Sequence, residues 1–211
     1  MPAPNLGGPH PVWATAGVRG VADPAVERYP TVPNVVTAVR TVIAVALGVW
    51  AATSGAWELV VAGYAVYWLG DILDGYLARR LHQETRIGAV ADIGGDRLST
   101  ATVGIALMII LPWTILPVAV FLIQFLVVDL MLSLGFLRWP LLSPNYFYLV
   151  DPVLYRWNWW PPVKALNTTS VVLVTALTGS ASLGAAVAMV GLAVKLISLL
   201  RLRWLLLGRL R

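Results

Sequence analysis

Four aspartates, Asp71, Asp74, Asp92 and Asp96, fall within 26 residues of a chain that from Asn34 onward is otherwise built of long apolar runs. Those runs limit the fold more than any other feature. Lipid offers the backbone no hydrogen-bond partner, so stretches of about 20 apolar residues cross it as helices whose bonds close within the segment. A carboxylate on such a helix is costly and needs a counter-charge. The composition agrees: 59% of the 211 residues are hydrophobic and 12% charged, against roughly 25% charged in an ordinary soluble domain. A conventional water-soluble globule is excluded, and there is room for about six spans with little beside them.

Turn-rich breaks place the predicted spans near residues 35–52, 57–80, 88–111, 114–137, 163–178 and 183–207. Residues 1–33, rich in Pro and Gly, read as a cytoplasmic arm ahead of a six-helix domain over 34–211. Within the arm, residues 12–27 are weakly amphipathic and interrupted by Pro24, a pattern compatible with a helix lying on the membrane surface. The expected outer connections, 53–56, 112–113 and 179–182, contain no Lys or Arg. The inner side collects Arg19, Arg28 and Arg40, then Arg79, Arg80 and Arg86, then Arg138, Arg156 and Lys164, and finally Arg201, Arg203, Arg209 and Arg211. This bias predicts an all-α integral membrane protein with six transmembrane helices and both termini cytoplasmic. It also accounts for the net charge of +5 without a nucleic-acid partner. Arg97 and Lys195 alone fall deep inside predicted spans. There is no cysteine, so disulfides and thiolate ligands are absent, and His10 and His82 are too few and too far apart for a zinc site.

Asp71 and Asp74 are three residues apart and Asp92 and Asp96 four, so on helices each pair shares one face. Span two runs inward and span three outward. By helix rise Asp74 lies about 9 Å and Asp96 about 12 Å from the cytoplasmic ends, and the pairs meet at similar depth. Four hard oxygen ligands suit Mg²⁺, Mn²⁺ or Ca²⁺ rather than zinc. Two such ions stabilise both the attacking and the leaving oxygen of a phosphoryl transfer. Between the pairs, Gly75, Ala78, Thr85 and Gly88 are small and Arg79 offers a fork to phosphate, which reads as a diphosphate seat. The plainer alternative is a packing cluster neutralised by Arg79, Arg80 and Arg97.

Written out, Asp71-Ile-Leu-Asp74-Gly75-Tyr-Leu-Ala78-Arg79, eight residues, then Gly88-Ala-Val-Ala-Asp92-Ile-Gly-Gly-Asp96 resembles the CDP-alcohol phosphatidyltransferase signature at every fixed position. The stretch Pro33-Asn34-Val-Val-Thr37-Ala-Val-Arg40 is similar to the segment that opens the first span in several members. The resemblance covers most of the chain and leaves out the arm. It implies that Asp71, Asp74 and Asp92, with Asp96 sharing, hold two divalent ions, Mg²⁺ or Mn²⁺, against the diphosphate of CDP-diacylglycerol. Asp71, Asp74, Gly75, Ala78, Arg79, Thr85 and Gly88 would bind the CDP moiety. Asp96 would be the general base, taking the proton of an acceptor hydroxyl that attacks the β-phosphorus while CMP departs. A homodimer with its active site facing the cytoplasm is likewise implied.

The acceptor side is read from Arg97, Asp129, Arg138, Lys164 and Lys195. An intramembrane carboxylate such as Asp129 is a functional residue by default, with a partnership to Arg138 or Lys195 as the alternative. Residues 138–164 carry eight aromatic side chains among five prolines, a composition suited to the headgroup level. They read as an interfacial lid, or as a vestibule for an acceptor that is itself a lipid. Val163-Lys164-Ala-Leu-Asn167-Thr168 is similar to the corresponding stretch of cardiolipin synthases of the phosphatidyltransferase type, although the lysine stands one position early. The expected acceptor is therefore phosphatidylglycerol, giving cardiolipin. Glycerol 3-phosphate, the acceptor of phosphatidylglycerophosphate synthases, comes next and inositol phosphate, that of phosphatidylinositol-phosphate synthases, after it. A transporter or a silent membrane scaffold are the readings from other classes. The Asp pattern does not recur in the second half, as it would in an inverted-repeat carrier.

Overall fold

The computed structural model describes residues 19–23, 27–28 and 30–208. Most of the expected arm, with His10 and residues 12–18 of the expected surface helix, lies outside them, as do Arg209 and Arg211; residues 19–23 of that stretch form a turn and a bridge rather than a helix. Among the described residues the chain is helical, apart from turns and an isolated antiparallel bridge between Val21 and Leu141.

Helix α1 (Val32–Ser54) starts where the Thr31 hydroxyl accepts the Asn34 N–H and Pro33 occupies the first turn, the position where a missing N–H is harmless. It stops at Gly55, whose φ of 75° is the left-handed conformation that glycine adopts without strain. Helix α2 (Trp57–Arg80) returns, and α3 (Arg86–Ile110) starts at Thr85, whose hydroxyl accepts the Gly88 N–H at 3.0 Å. The fourth long segment, Pro112–Arg138, is not one regular helix. It contains α4 (Ile115–Ile123), a π-helical stretch over Gln124–Asp129, α5 (Leu130–Leu134) and a closing 3₁₀ turn, Gly135–Arg138. A 3₁₀ turn (Pro144–Leu149) and α6 (Pro152–Asn158) follow, then α7 (Pro161–Thr178) and α8 (Ala181–Leu206).

Four of these elements are long and apolar enough to cross a membrane: Val32–Ser54, Arg86–Ile110, Pro112–Arg138 and Ala181–Leu206. Helices α2 and α7 coincide with the other two expected spans, and the reasons they differ are chemical. Helix α2 carries Glu58, Asp71, Asp74, Arg79 and Arg80. Helix α7 has 18 residues, about 27 Å by helix rise, and opens on Pro161, Pro162 and Lys164.

Helix α1 packs against both α2 and α3, while α4 packs against α8. The outward surface is apolar, with Val42, Val49 and Trp50 of α1, Ile105 and Ile109 of α3, and Leu196 and Leu200 of α8 exposed. In water such a surface would be a liability; against lipid it is the expected one. The aromatic segment is less a lid than a core. Trp139, Tyr146, Phe147 and Trp159 are buried with Ile93, Leu132, Phe136, Leu154 and Leu202, whereas Tyr148, Trp157 and Trp160 stay exposed. Asp151 anchors this segment: its carboxylate caps α6 by accepting the Val153 and Leu154 N–H groups and accepts Arg201 Nε of α8 at 2.8 Å.

Candidate active site

The counter-charge demanded by the four aspartates comes from α1. Arg40, 3% exposed, donates from Nε to Asp74 Oδ2 at 2.7 Å and from Nη2 to Asp92 Oδ1 and, at 2.9 Å, to Asp96 Oδ1. Its Nη2 also lies 3.9 Å from Asp71 Oδ1. One guanidinium thus ties both aspartate pairs to the first helix. The local sequence makes room for it: at Gly70 a Cβ would run into the Arg40 side chain, and the Tyr67 ring lies 5.7 Å from its central carbon. Thr37, one turn before Arg40, adds a hydroxyl donated to Asp74 Oδ2 at 2.8 Å.

The cations of the packing alternative do not neutralise the four aspartates. Arg79 and Arg80 are exposed at the end of α2, and Arg97 points to a different carboxylate. In the sequence Arg40 reads only as a cation opening the first span. The signal that could have found it was its helical register with Thr37, in a segment already noted as similar to the family.

Asp71, Asp74 and Asp92 each offer a carboxylate oxygen within 4.8 Å of the other two, a grouping that fits a divalent cation. Asp96 stands outside that grouping, one helical turn deeper, and is 5% exposed.

Three cavities meet at Asp92. One is lined by six of the seven residues expected to bind CDP, Asp74, Gly75, Ala78, Arg79, Thr85 and Gly88, together with Asn34, but not by Asp71. Thr85 contributes there as the cap of α3. Gly88 is required by close approach, since a Cβ would come within 2.6 Å of Asn34 Oδ1 and 2.8 Å of Thr85 Oγ1. Asn34 Nδ2, buried without a protein partner, belongs to this side. A second cavity, about 460 Å³, holds Asp71, Arg79 and Lys164, with Lys164 Nζ 3.3 Å from Asp71 Oδ2. The third brings together Asp92, Asp96, Arg97, Gln124, Asp129, Asn158, Lys164, Asn167 and Lys195. Four of the five expected acceptor residues, Arg97, Asp129, Lys164 and Lys195, therefore share one cavity with Asp96. Arg138 does not; it is exposed at the end of the closing 3₁₀ turn.

Within the third cavity Asp129 accepts Lys195 Nζ at 2.6 Å and Arg97 Nη2, and Arg97 lies over the Phe125 ring at 4.0 Å. The expected alternative partner, Lys195, is thus real, and Arg97 is added to it. Gln124 and Asp129 are the first and last residues of the π-helical stretch. Such irregular turns are found frequently at functional sites. Arg97 Nε, Asn158 Oδ1 and Asn167 Nδ2 are buried without protein partners, a polar capacity a hydroxylated ligand could use.

A family model, CDP-alcohol phosphatidyltransferase, matches residues 30–199. No curated protein and no solved structure matches the chain.

Proposed function

The chain belongs to the CDP-alcohol phosphatidyltransferase family, and from that premise we propose that it moves a phosphatidyl group from CDP-diacylglycerol to phosphatidylglycerol, forming cardiolipin and CMP. Phospholipid biosynthesis by phosphatidyl transfer follows from membership; the acceptor, the ions and the topology are our reading. The observation that carries it is the position of Asp92 at the junction of the cavities, with the CDP-type lining on one side and Asp96 on the other.

In this reading Asp71, Asp74 and Asp92, with Asp96 sharing, would hold two divalent ions. When bound, Mg²⁺ or Mn²⁺ neutralises the diphosphate and the departing CMP. Gly75 and Gly88 let the backbone approach the nucleotide, and Arg79 reaches a phosphate oxygen. Asp96 takes the proton of the acceptor hydroxyl. The hydroxyl oxygen bonds to the β-phosphorus, the bond from that phosphorus to the bridging oxygen breaks, and the electron pair leaves with CMP. Arg40 holds Oδ1 of Asp96, so Oδ2 is the atom assigned to receive the proton.

An anionic acceptor is favoured by the Arg97–Asp129–Lys195 cluster, in which two cations face one carboxylate. Phosphatidylglycerol carries the matching phosphate. Glycerol 3-phosphate carries one too and is the second reading. Six crossings, α2 and α7 among them, a cytoplasmic active site and a homodimer complete the proposal.

The test is CMP release from CDP-diacylglycerol by the purified protein with Mg²⁺ or Mn²⁺, offering phosphatidylglycerol, glycerol 3-phosphate and inositol phosphate separately. Release that depends on phosphatidylglycerol is expected. Release with glycerol 3-phosphate alone would replace the acceptor, and release with none would overturn the proposal.

A further inference from the structure

The arm ahead of α1 falls outside the family match, yet part of it sits at the site. Residues 20–22 pair with 140–142: Ala22 N–H donates to the Pro140 carbonyl and Leu142 N–H to the Gly20 carbonyl, both at 2.8 Å. Gly20, at φ 94°, lies flat on the Tyr146 ring, where a Cβ would collide with it. Further along, the Glu27 carboxylate accepts the Arg86 N–H at 2.9 Å, and the Gln83 side chain accepts the Val32 N–H at 3.1 Å. The arm is therefore tied both to the 139–146 segment and to the turn between α2 and α3.

This path brings Arg19 to the wall of the 460 Å³ cavity, whose lining also includes Arg79, Lys164, Asp71, Asp74 and Asp92. Arg19 hydrogen-bonds the Tyr146 hydroxyl, which in turn donates to the Glu84 carboxylate at 2.8 Å. Burial and the neighbouring Glu84 carboxylate push the Tyr146 phenol up to about 12, so the group aiming Arg19 stays neutral at physiological pH. The Glu84 carboxylate attracts the exposed Arg19 guanidinium as well, and the five N–H donors of the fork leave some for a further partner. At about 460 Å³ the cavity is of the size that takes a small-molecule headgroup.

We propose that Arg19 completes the substrate cavity from outside the family domain, binding a phosphate of one of the two lipid substrates, with Tyr146 and Glu84 as positioning residues. The inference rests on the phosphatidyl-transfer reading for what enters the cavity. The shared chemistry is a phosphate ester, met by the planar fork of arginine. It comes either from the donor's diphosphate or from the acceptor's phosphodiester.

The test measures equilibrium binding of CDP-diacylglycerol and, separately, of phosphatidylglycerol in mixed micelles by full-length protein. The readout is tryptophan fluorescence, since Trp68 and Trp159 line the same cavity. Arg19→Gln is expected to weaken one of the two lipids about tenfold, with Arg19→Lys recovering part of the loss and Tyr146→Phe intermediate. The unfolding temperature should not move, and in turnover the KM for the same lipid should rise with kcat nearly unchanged. A loss confined to CDP-diacylglycerol assigns the donor diphosphate, and one confined to phosphatidylglycerol assigns the acceptor. Wild-type binding of both lipids by Arg19→Gln overturns the inference. So does an equal failure of Arg19→Lys and Arg19→Gln accompanied by a fall in unfolding temperature, which marks a structural strap only. Arg19-dependent binding without CMP release would overturn the transfer reading and leave this one standing.

Discussion

Two buried charge clusters lie side by side in this protein, and they are built with opposite balance. Around Arg40 stand four carboxylates, with Lys164 reaching Asp71 at the edge. Around Asp129 stand two cations, Arg97 and Lys195. A packing device would approach neutrality within each cluster, because uncompensated buried charge is what costs most. Here the acid-rich cluster has capacity left for cations and the base-rich one for an anion. In the proposed function this imbalance would divide ion and donor handling, on α2 and α3, from acceptor handling, on the fourth segment and α8.

The variants that break this division should differ in size. Asp96→Asn is expected to lower CMP release by about 10²–10⁴-fold, the usual worth of a positioned general base, and removal of divalent ions with a chelator should abolish release altogether. Next comes Arg40→Ala, which leaves Asp74 and Asp96 buried without their cation. A loss of about 3–5 kcal/mol is expected, read as a fall in thermal unfolding temperature in detergent. Lys195→Met sharpens the comparison. Asp129 retains Arg97, so the fold should survive while the KM for the acceptor rises about tenfold and that for CDP-diacylglycerol stays near the wild-type value. Gly88→Ala should weaken CDP binding severalfold, because its Cβ would press on Asn34 and Thr85 and narrow the cavity they line. Arg138→Gln, exposed and remote from both clusters, should change stability by no more than about 0.5 kcal/mol and leave both KM values alone.

How much of this was legible in the sequence follows from what local pattern can carry. The aspartate pairs, the glycines between them and the helix that holds each were readable because spacing of three and four on a helix fixes a face. Thr85 and Gly88 line one cavity, and the cap at the start of α3 gives Thr85 a structural duty as well. Arg40 was not found as the hub because a single cation at the head of a span has an ordinary topological explanation; only the packing of α1 between α2 and α3 brings it to the carboxylates. The π-helical stretch at Gln124–Asp129 was invisible, since Val, Leu and Phe around it fit a regular helix equally well. The aromatic segment was legible as interfacial by composition, but which rings turn inward depended on Asp151 and its partner Arg201, 50 residues away. The arm's contribution at Arg19 had no local signal at all.

The central claim is that Asp96 acts on the acceptor while the other three aspartates supply most of the ligands to the ions. The most direct measurement sets Mn²⁺ binding, followed by electron paramagnetic resonance, beside acceptor-dependent CMP release for Asp96→Asn and for Asp92→Asn. The account predicts that Asp96→Asn keeps most of its Mn²⁺ binding while release collapses, and that Asp92→Asn loses both. Full-rate release by Asp96→Asn, or equal loss of Mn²⁺ by the two variants, would contradict it.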